Sequence, residues 1–349
     1  MTLHKEIAFE NDVCTHLAAN GWLYAAGDAA GYDRARALFP ADVLAWVQSS
    51  QRQAWEALSK SQGAAAESVL LDRIRKQIDD RGTLDVLRHG VEILGLKQPL
   101  SLAQFKPALA MNPEIVARYA ANRLRVVRQV KYSLHNENCI DLVLFLNGIP
   151  VATVELKTDF TQSIEDAVDQ YRFDRLPRPK GQSAAEPLLD FPRGALVHFA
   201  VSNSDVKMTT KLAGPATSFL PFNQGDNGAA GNPVNPKGHR TAYLWERVWA
   251  RESWLEILGR YLVTPRDDKK KIRAIIFPRY HQLDAMRALM AKVLEEGPGQ
   301  KYLIQHSAGS GKTNSIAWTA HFLADLHDAR HQKLFDTVLV VSDRTVLDS

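Results

Sequence analysis

The sequence predicts an α/β fold in two parts: a mixed-sheet domain over residues 1–262, then the first part of a parallel, doubly wound α/β lobe over 263–349. Three observations carry this reading. An apolar pattern with an Asn-Gly centre, DLVLFLNGIPVATVELKT, runs from 141 to 158 and reads as a hairpin. Segments of helical period flank it on both sides. Past residue 265 the order becomes strand, glycine loop, helix, strand, as in a doubly wound sheet.

Each element has its own signal. Residues 5–20 carry helical periodicity, as do 38–60, which open with Pro-Ala-Asp, and 64–80. RLRVVRQVKY, 123–132, alternates like a strand and leads into the hairpin. Residues 162–175 read as a helix, the Pro- and Gly-rich 177–194 as a loop, and ALVHFAVSN, 195–203, as a buried strand. The many Gly, Pro and Asn of 213–240 predict a long mobile loop. Helices are expected at 241–262 and 281–295, a strand before the glycines of HSAGSGKT, a helix after them, and a last strand at TVLVVSD, 337–343.

Composition narrows the class. Of 349 residues, 45% are hydrophobic and 23% charged, which suits a soluble globular chain. The net charge of +4 permits a polyanionic partner without demanding one. Two cysteines, Cys14 and Cys139, cannot form a disulfide scaffold, so a reducing cytoplasm is expected. The opening MTLHKEIAFE lacks a secretory apolar core, and no run is long enough to span a membrane.

The hairpin carries the chemistry. Side chains alternate across a strand, so Glu155 and Lys157 share a face. A two-residue turn at 147–148 would set Glu155 opposite Ile140 and turn Asp141 away. A three-residue loop, or a bulge, sets Asp141 opposite Glu155, and that arrangement is the one predicted. Two converging carboxylates beside an ammonium suit Mg²⁺ or Mn²⁺, with Lys157 orienting water or stabilising negative charge. The bland alternative is an exposed Glu–Lys pair with Asp141 at a strand end.

Asp141 followed by Glu155-Leu156-Lys157 resembles the core of the PD-(D/E)xK nucleases. More closely, the chain resembles the N-terminal part of the restriction (motor) subunit of type I restriction-modification enzymes, beginning with GWLYAAGDAAGYDRARALFPADVLAWVQ, 21–48, and running to the glycine loop. Ile140 stands where the motif has its Pro. The resemblance implies that Asp141, Glu155 and Lys157 form the nuclease triad, that Glu10 of the first helix lines the site, and that Gln170 matches the Gln of a Q-x-x-x-Y element. The Tyr position of that element holds Asp174, while Tyr171 follows Gln170 directly. It further implies double-stranded DNA, a specificity subunit and a methyltransferase subunit as partners. A non-catalytic nucleic-acid-binding domain attached to a helicase is the alternative reading.

Two basic clusters are candidate phosphate contacts: Arg118, Arg123, Arg125, Arg128 and Lys131, and then Arg172, Arg175, Arg178 and Lys180. In HSAGSGKT, Gly309, Ser310, Gly311, Lys312 and Thr313 match the second half of a Walker A loop, whose amides and helix N-terminus cradle phosphates. Lys312 is expected on the β- and γ-phosphates of ATP, and Thr313 on Mg²⁺. His306 replaces the first glycine, a variation similar to that of superfamily 2 helicases and translocases. FPRYHQLDAM resembles their Q-motif, with Gln282 reading adenine and Arg279 or Tyr280 packing on the base. With no Walker B acid after Lys312 and no second lobe, the chain reads as part of a longer subunit that should not hydrolyse ATP by itself. His321, His327 and His331 lack zinc spacing. Trp245, Trp249 and Trp254 read as core.

Overall fold

The computed structural model describes residues 6–341. These fall into two compact units, one of residues 6–106 and 117–277, the other of 107–116 and 278–341.

The first unit opens with α1 (Glu6–Ala19), where Phe9, Val13 and Leu17 recur at four-residue steps and are buried. The helix expected over 38–60 is in fact two, α2 (Pro40–Ser50) and α3 (Arg52–Gln62). Gln51 leaves helical geometry (φ −143°, ψ 51°), and its amide clasps the backbone of Ser101 through bonds of 2.8 and 2.7 Å. That paired bond outweighs one more helical turn. Then come α4 (Ala66–Arg81), α5 (Thr83–His89) and α6 (Pro113–Ala120).

Six strands form one sheet in sequence order: β1 (Leu124–Lys131), β2 (Cys139–Leu146), β3 (Ile149–Leu156), β4 (Val197–Val201), β5 (Val206–Thr209) and β6 (Leu220–Pro221). All neighbours are antiparallel except β3 and β4, whose parallel pairing requires a crossover containing α7 (Ile164–Asp169). β2 and β3 are buried along almost their whole length, so both faces are covered.

The β2–β3 hairpin settles the register. Asn147 and Gly148 both have positive φ (49° and 82°), which makes a tight two-residue turn. A Cβ on Gly148 would stand 2.5 Å from the Phe39 carbonyl oxygen, so glycine is required there. The register shifts once: Leu144 faces Ala152 while Phe145 faces Pro150, leaving Val151 as an extra residue. The bulge, not a longer loop, thus supplies the offset the sequence demanded. Leu142 faces Val154, and one pair further on Asp141 faces Glu155.

The helix expected over 241–262 is broken. A wide turn (Leu244–Val248), a non-helical Ala250 (ψ 138°), α8 (Arg251–Glu256) and a second wide turn (Ile257–Tyr261) replace it. Trp249 and Trp254 lie five residues apart, off the helical period, and the break lets both be buried together with Trp245. Within this unit Trp245 packs edge-on to Phe9 and Trp249 edge-on to Phe199.

The second unit contains α9 (Tyr280–Glu296) and α10 (Lys312–Ala324). The strands expected at 302–306 and within 337–341 are absent among the described residues, and residues 342–349 lie outside them. Leu303, Leu339 and Val341 are more than 80% exposed. An apolar run becomes a strand only where another backbone offers its N–H and C=O groups, and neither segment meets one here. No helix is long and apolar enough to cross a membrane among the described residues.

Candidate functional site

Four elements bring charged groups to one end of the hairpin. α1 presents Glu6 and Glu10 one turn apart on a single face. β1 contributes Arg128 and Gln129, β2 Asp141, and β3 Glu155, followed by Lys157. The chain after α7 adds Gln170 and Arg175.

Carboxylate oxygens of Glu6, Glu10 and Asp141 lie within 4.8 Å of one another. Three carboxylates have a cationic partner each. Arg128 Nε donates to Glu10 at 2.8 Å, Lys157 Nζ to Glu6 at 3.1 Å, and Arg175 Nε to Glu155 Oε1 at 2.7 Å. Asp141 instead accepts the Leu156 amide at 2.8 Å and the Gln129 amide at 3.4 Å. Glu155 is fully buried, and its Oε2 accepts no hydrogen bond. Asp141 lies across the β2–β3 ladder from Glu155, its charge opposes ionisation of Glu155, and no donor reaches Glu155 Oε2. Only a shared proton or a cation relieves that arrangement.

Burial, and next the Asp141 charge, push the Glu155 carboxyl well above its ordinary value; Arg175 opposes this. Burial also raises Glu10, against the pull of Arg128. The clustered donors of Glu6, Glu10 and Asp141 are all oxygen, Glu155 lies outside that cluster with its Oε2 unmet, and this chemistry fits a hard divalent ion such as Mg²⁺ or Mn²⁺.

Asp141, Glu155, Lys157 and Glu10 are thus brought together. Gln170 opens a wide turn, Gln170–Asp174, and its Oε1 is buried without a partner. Tyr171 is fully buried in the core, its hydroxyl 2.8 Å from Thr153 Oγ1. Two members of the cluster, Glu6 and Gln129, were not singled out in the sequence, and Arg175 was read there as a phosphate contact rather than as the partner of Glu155. Gln129 has φ 49° within β1 and links Glu10, Asp141 and Cys139 through its side chain. Glu6 was legible only as a residue one turn before Glu10.

The first basic cluster is not a free phosphate-binding face. Arg123 and Arg125 both hold the buried Asp42, Arg125 also holds Asp28 at 2.6 Å, Arg128 holds Glu10, and Lys131 holds Glu137 at 2.7 Å. In the second cluster Arg175 turns inward to Glu155, while Arg178 and Lys180 are exposed. Cys139 is half-buried, and burial raises its thiol pKa, which does not favour a nucleophile.

In the second unit, Gly309 and Gly311 have φ of 73° and 81°, and Gly311 caps α10. A Cβ on Gly311 would lie 2.6 Å from Gln282 Nε2, a side-chain end that can shift, so it is the φ of 81° that favours glycine. Gln282 Nε2 donates to the Gly311 carbonyl and Arg279 to that of Gly309, both at 2.8 Å, while Gln282 Oε1 accepts the Arg279 amide at 2.9 Å. Both ends of the Gln282 amide are therefore engaged with backbone. Lys312 Nζ folds over the loop onto the carbonyls of His306 and Ser307, at 3.2 and 2.9 Å. Ser310 is buried and Thr313 exposed. A cavity of about 250 Å³ lies along residues 305–310, Arg279 and His281.

Comparison with known proteins places most of the first unit's sheet in a family. The sequence profile described as Type I restriction enzyme R protein N terminus matches residues 42–217. The chain belongs to that family. A protein of Methanocaldococcus jannaschii named as a type I restriction enzyme MjaVIIIP endonuclease subunit is 26% identical over 231 residues, 61% of this chain. The match covers only 19% of that relative, so the chain spans about a fifth of its length. Within this R-protein family, the matched segment holds the whole β2–β3 hairpin, Gln170 and Arg175; Glu6, Glu10 and the glycine loop fall outside it.

Proposed function

We propose that this chain carries the Mg²⁺-dependent endonuclease site of a type I restriction subunit, cutting phosphodiester bonds of double-stranded DNA. The observation that carries this reading is the buried Glu155 Oε2 that no donor meets, on the strand next to that of Asp141. Asp141 and Glu155 would hold the ion, with Glu10 beside them. When bound, it polarises a phosphoryl oxygen and makes water a better nucleophile. Lys157, 3% exposed and resting on Glu6, is poised to exchange that partner for a phosphate oxygen and so to stabilise the charge that develops there. Gln170 and Gln129 orient the pocket around the reacting phosphate.

The glycine loop at 309–313 is read as the start of a RecA-like motor lobe that binds ATP and, in the longer subunit, drives DNA translocation. Lys312 would leave the loop carbonyls for the nucleotide phosphates, and Thr313 would hold Mg²⁺. A specificity subunit and a methyltransferase subunit are the proposed partners, in the cytoplasm.

The test is Mg²⁺-dependent cleavage of duplex DNA by the wild-type chain and by Glu155→Ala, with DNA binding followed by gel shift. Loss of cleavage with binding retained supports the reading. Equal cleavage by both proteins contradicts it.

A further inference from the structure

We propose that Arg175 is a positioning residue that aims the Glu155 carboxylate at the metal position. This rests on the metal reading of the site given above. The ion pair is buried on both sides: the side chains of Arg175 and Glu155 are 12% and 0% exposed. A Glu side chain turns freely about its last bond, so a carboxylate that must present one particular oxygen needs an anchor on the other. Arg175 Nε supplies that anchor at Oε1, and Oε2 is left buried without a donor. A rigid guanidinium fixes such an oxygen better than a flexible ammonium does.

The backbone explains how an arginine arrives there. α7 ends at Asp169, and the chain then makes one wide turn, with the Arg175 amide bonded to the Gln170 carbonyl at 2.8 Å. In an α-helix the residue stacked on position 170 is 174. The wide turn makes it 175. Asp174 consequently faces solvent, and Arg175 comes to lie on the same side as Gln170. The inserted residue therefore has a visible effect, which is to deliver a cation to the back of Glu155.

The charges around the site agree. Glu6, Glu10 and Glu155 each have their own cation, whereas Asp141 has none among the described residues. Arg175 thus holds Glu155 without competing for the Asp141 side of the pocket, where an ion would sit.

The experiment is Mn²⁺ titration of the whole chain without DNA, with free Mn²⁺ read by electron paramagnetic resonance. Arg175→Gln is expected to weaken binding roughly tenfold to a hundredfold, the range for residues that orient a metal ligand. Arg175→Lys, which keeps the charge but not the planar fork, is expected to fall between that and wild type. In a Glu155→Gln background the same Arg175→Gln change should alter affinity less than about twofold, because its target is gone. An unchanged affinity on Arg175→Gln, or an equal loss in both backgrounds, overturns the proposal. If Arg175→Gln does not fold, judged by far-ultraviolet circular dichroism, Arg175→Lys with and without Glu155→Gln decides by the same criterion. If wild type binds Mn²⁺ no better than Glu155→Gln, the metal reading itself fails. If Glu155→Gln weakens binding and Arg175→Gln does not, only the role of Arg175 fails.

Discussion

Asp42 and Glu155 are both fully buried carboxylates held by arginines, yet their surroundings are balanced in opposite ways. Asp42 accepts from Arg123 and from Arg125, which together satisfy both of its oxygens. It also sits in the first turn of α2, where the helix dipole favours a negative charge. Glu155 has one arginine on one oxygen, nothing on the other, and a second carboxylate facing it. The first arrangement is complete and ties β1 to α2. The second is unfinished, and a divalent ion would complete it. Burial of an acid therefore does not by itself mark a functional site; what separates Glu155 from Asp42 is an oxygen left unmet.

The largest expected effect tests the completed side. Asp42→Ala leaves two arginines facing a buried gap and should cost about 3 kcal/mol of stability, read from denaturant midpoints. A loss under 1 kcal/mol would mean that the pairs are dispensable. The opposite sign is expected at the unfinished site. Asp141→Asn removes the repulsion and gives Glu155 a donor, so the metal-free chain should gain about 1 kcal/mol while losing Mn²⁺ binding. A destabilised Asp141→Asn protein would break the contrast.

The same contrast has a pH signature. Glu155 and Glu10 keep their protons to higher pH in the folded chain than in the unfolded one. Their contribution to stability is full below the ordinary value of 4.5 and is lost as pH rises through the raised folded values. Metal-free stability should thus decline above that point, and saturating Mg²⁺ should flatten the decline. A melting temperature that rises with pH equally with and without Mg²⁺ would contradict this. The smallest effect is expected at Glu137, which bridges Arg34 and Lys131 on the surface. Although both cations hold its carboxyl down at about 2, solvent screens such pairs, and Glu137→Gln should leave the melting midpoint unchanged within error.

The sequence made the hairpin legible because an Asn-Gly turn and a demand for facing carboxylates jointly implied an offset, which Val151 provides. It could not say which device would supply it, since Pro150 suits a bulge but does not require one. Asp141, Glu155 and Lys157 were legible from the hairpin pattern together with the resemblance it carries, and Glu10 from the resemblance only. Arg175 was not, because its position depends on a wide turn that a 3.6-residue period hides. The arginines of β1 read as a phosphate-binding face because their partners, Asp28 and Asp42, lie more than 80 residues away in sequence. The strand expected before the glycine loop and the described part of that expected at 337–343 failed for a different reason: apolar pattern describes what a strand buries, but pairing decides whether one forms.

The most direct measurement is anomalous difference density from crystals of the chain soaked in Mn²⁺. The account predicts a peak in the pocket between Asp141 and Glu155, near Glu10. Well-ordered density for these side chains with no peak between them, or a peak only elsewhere in the molecule, would contradict it.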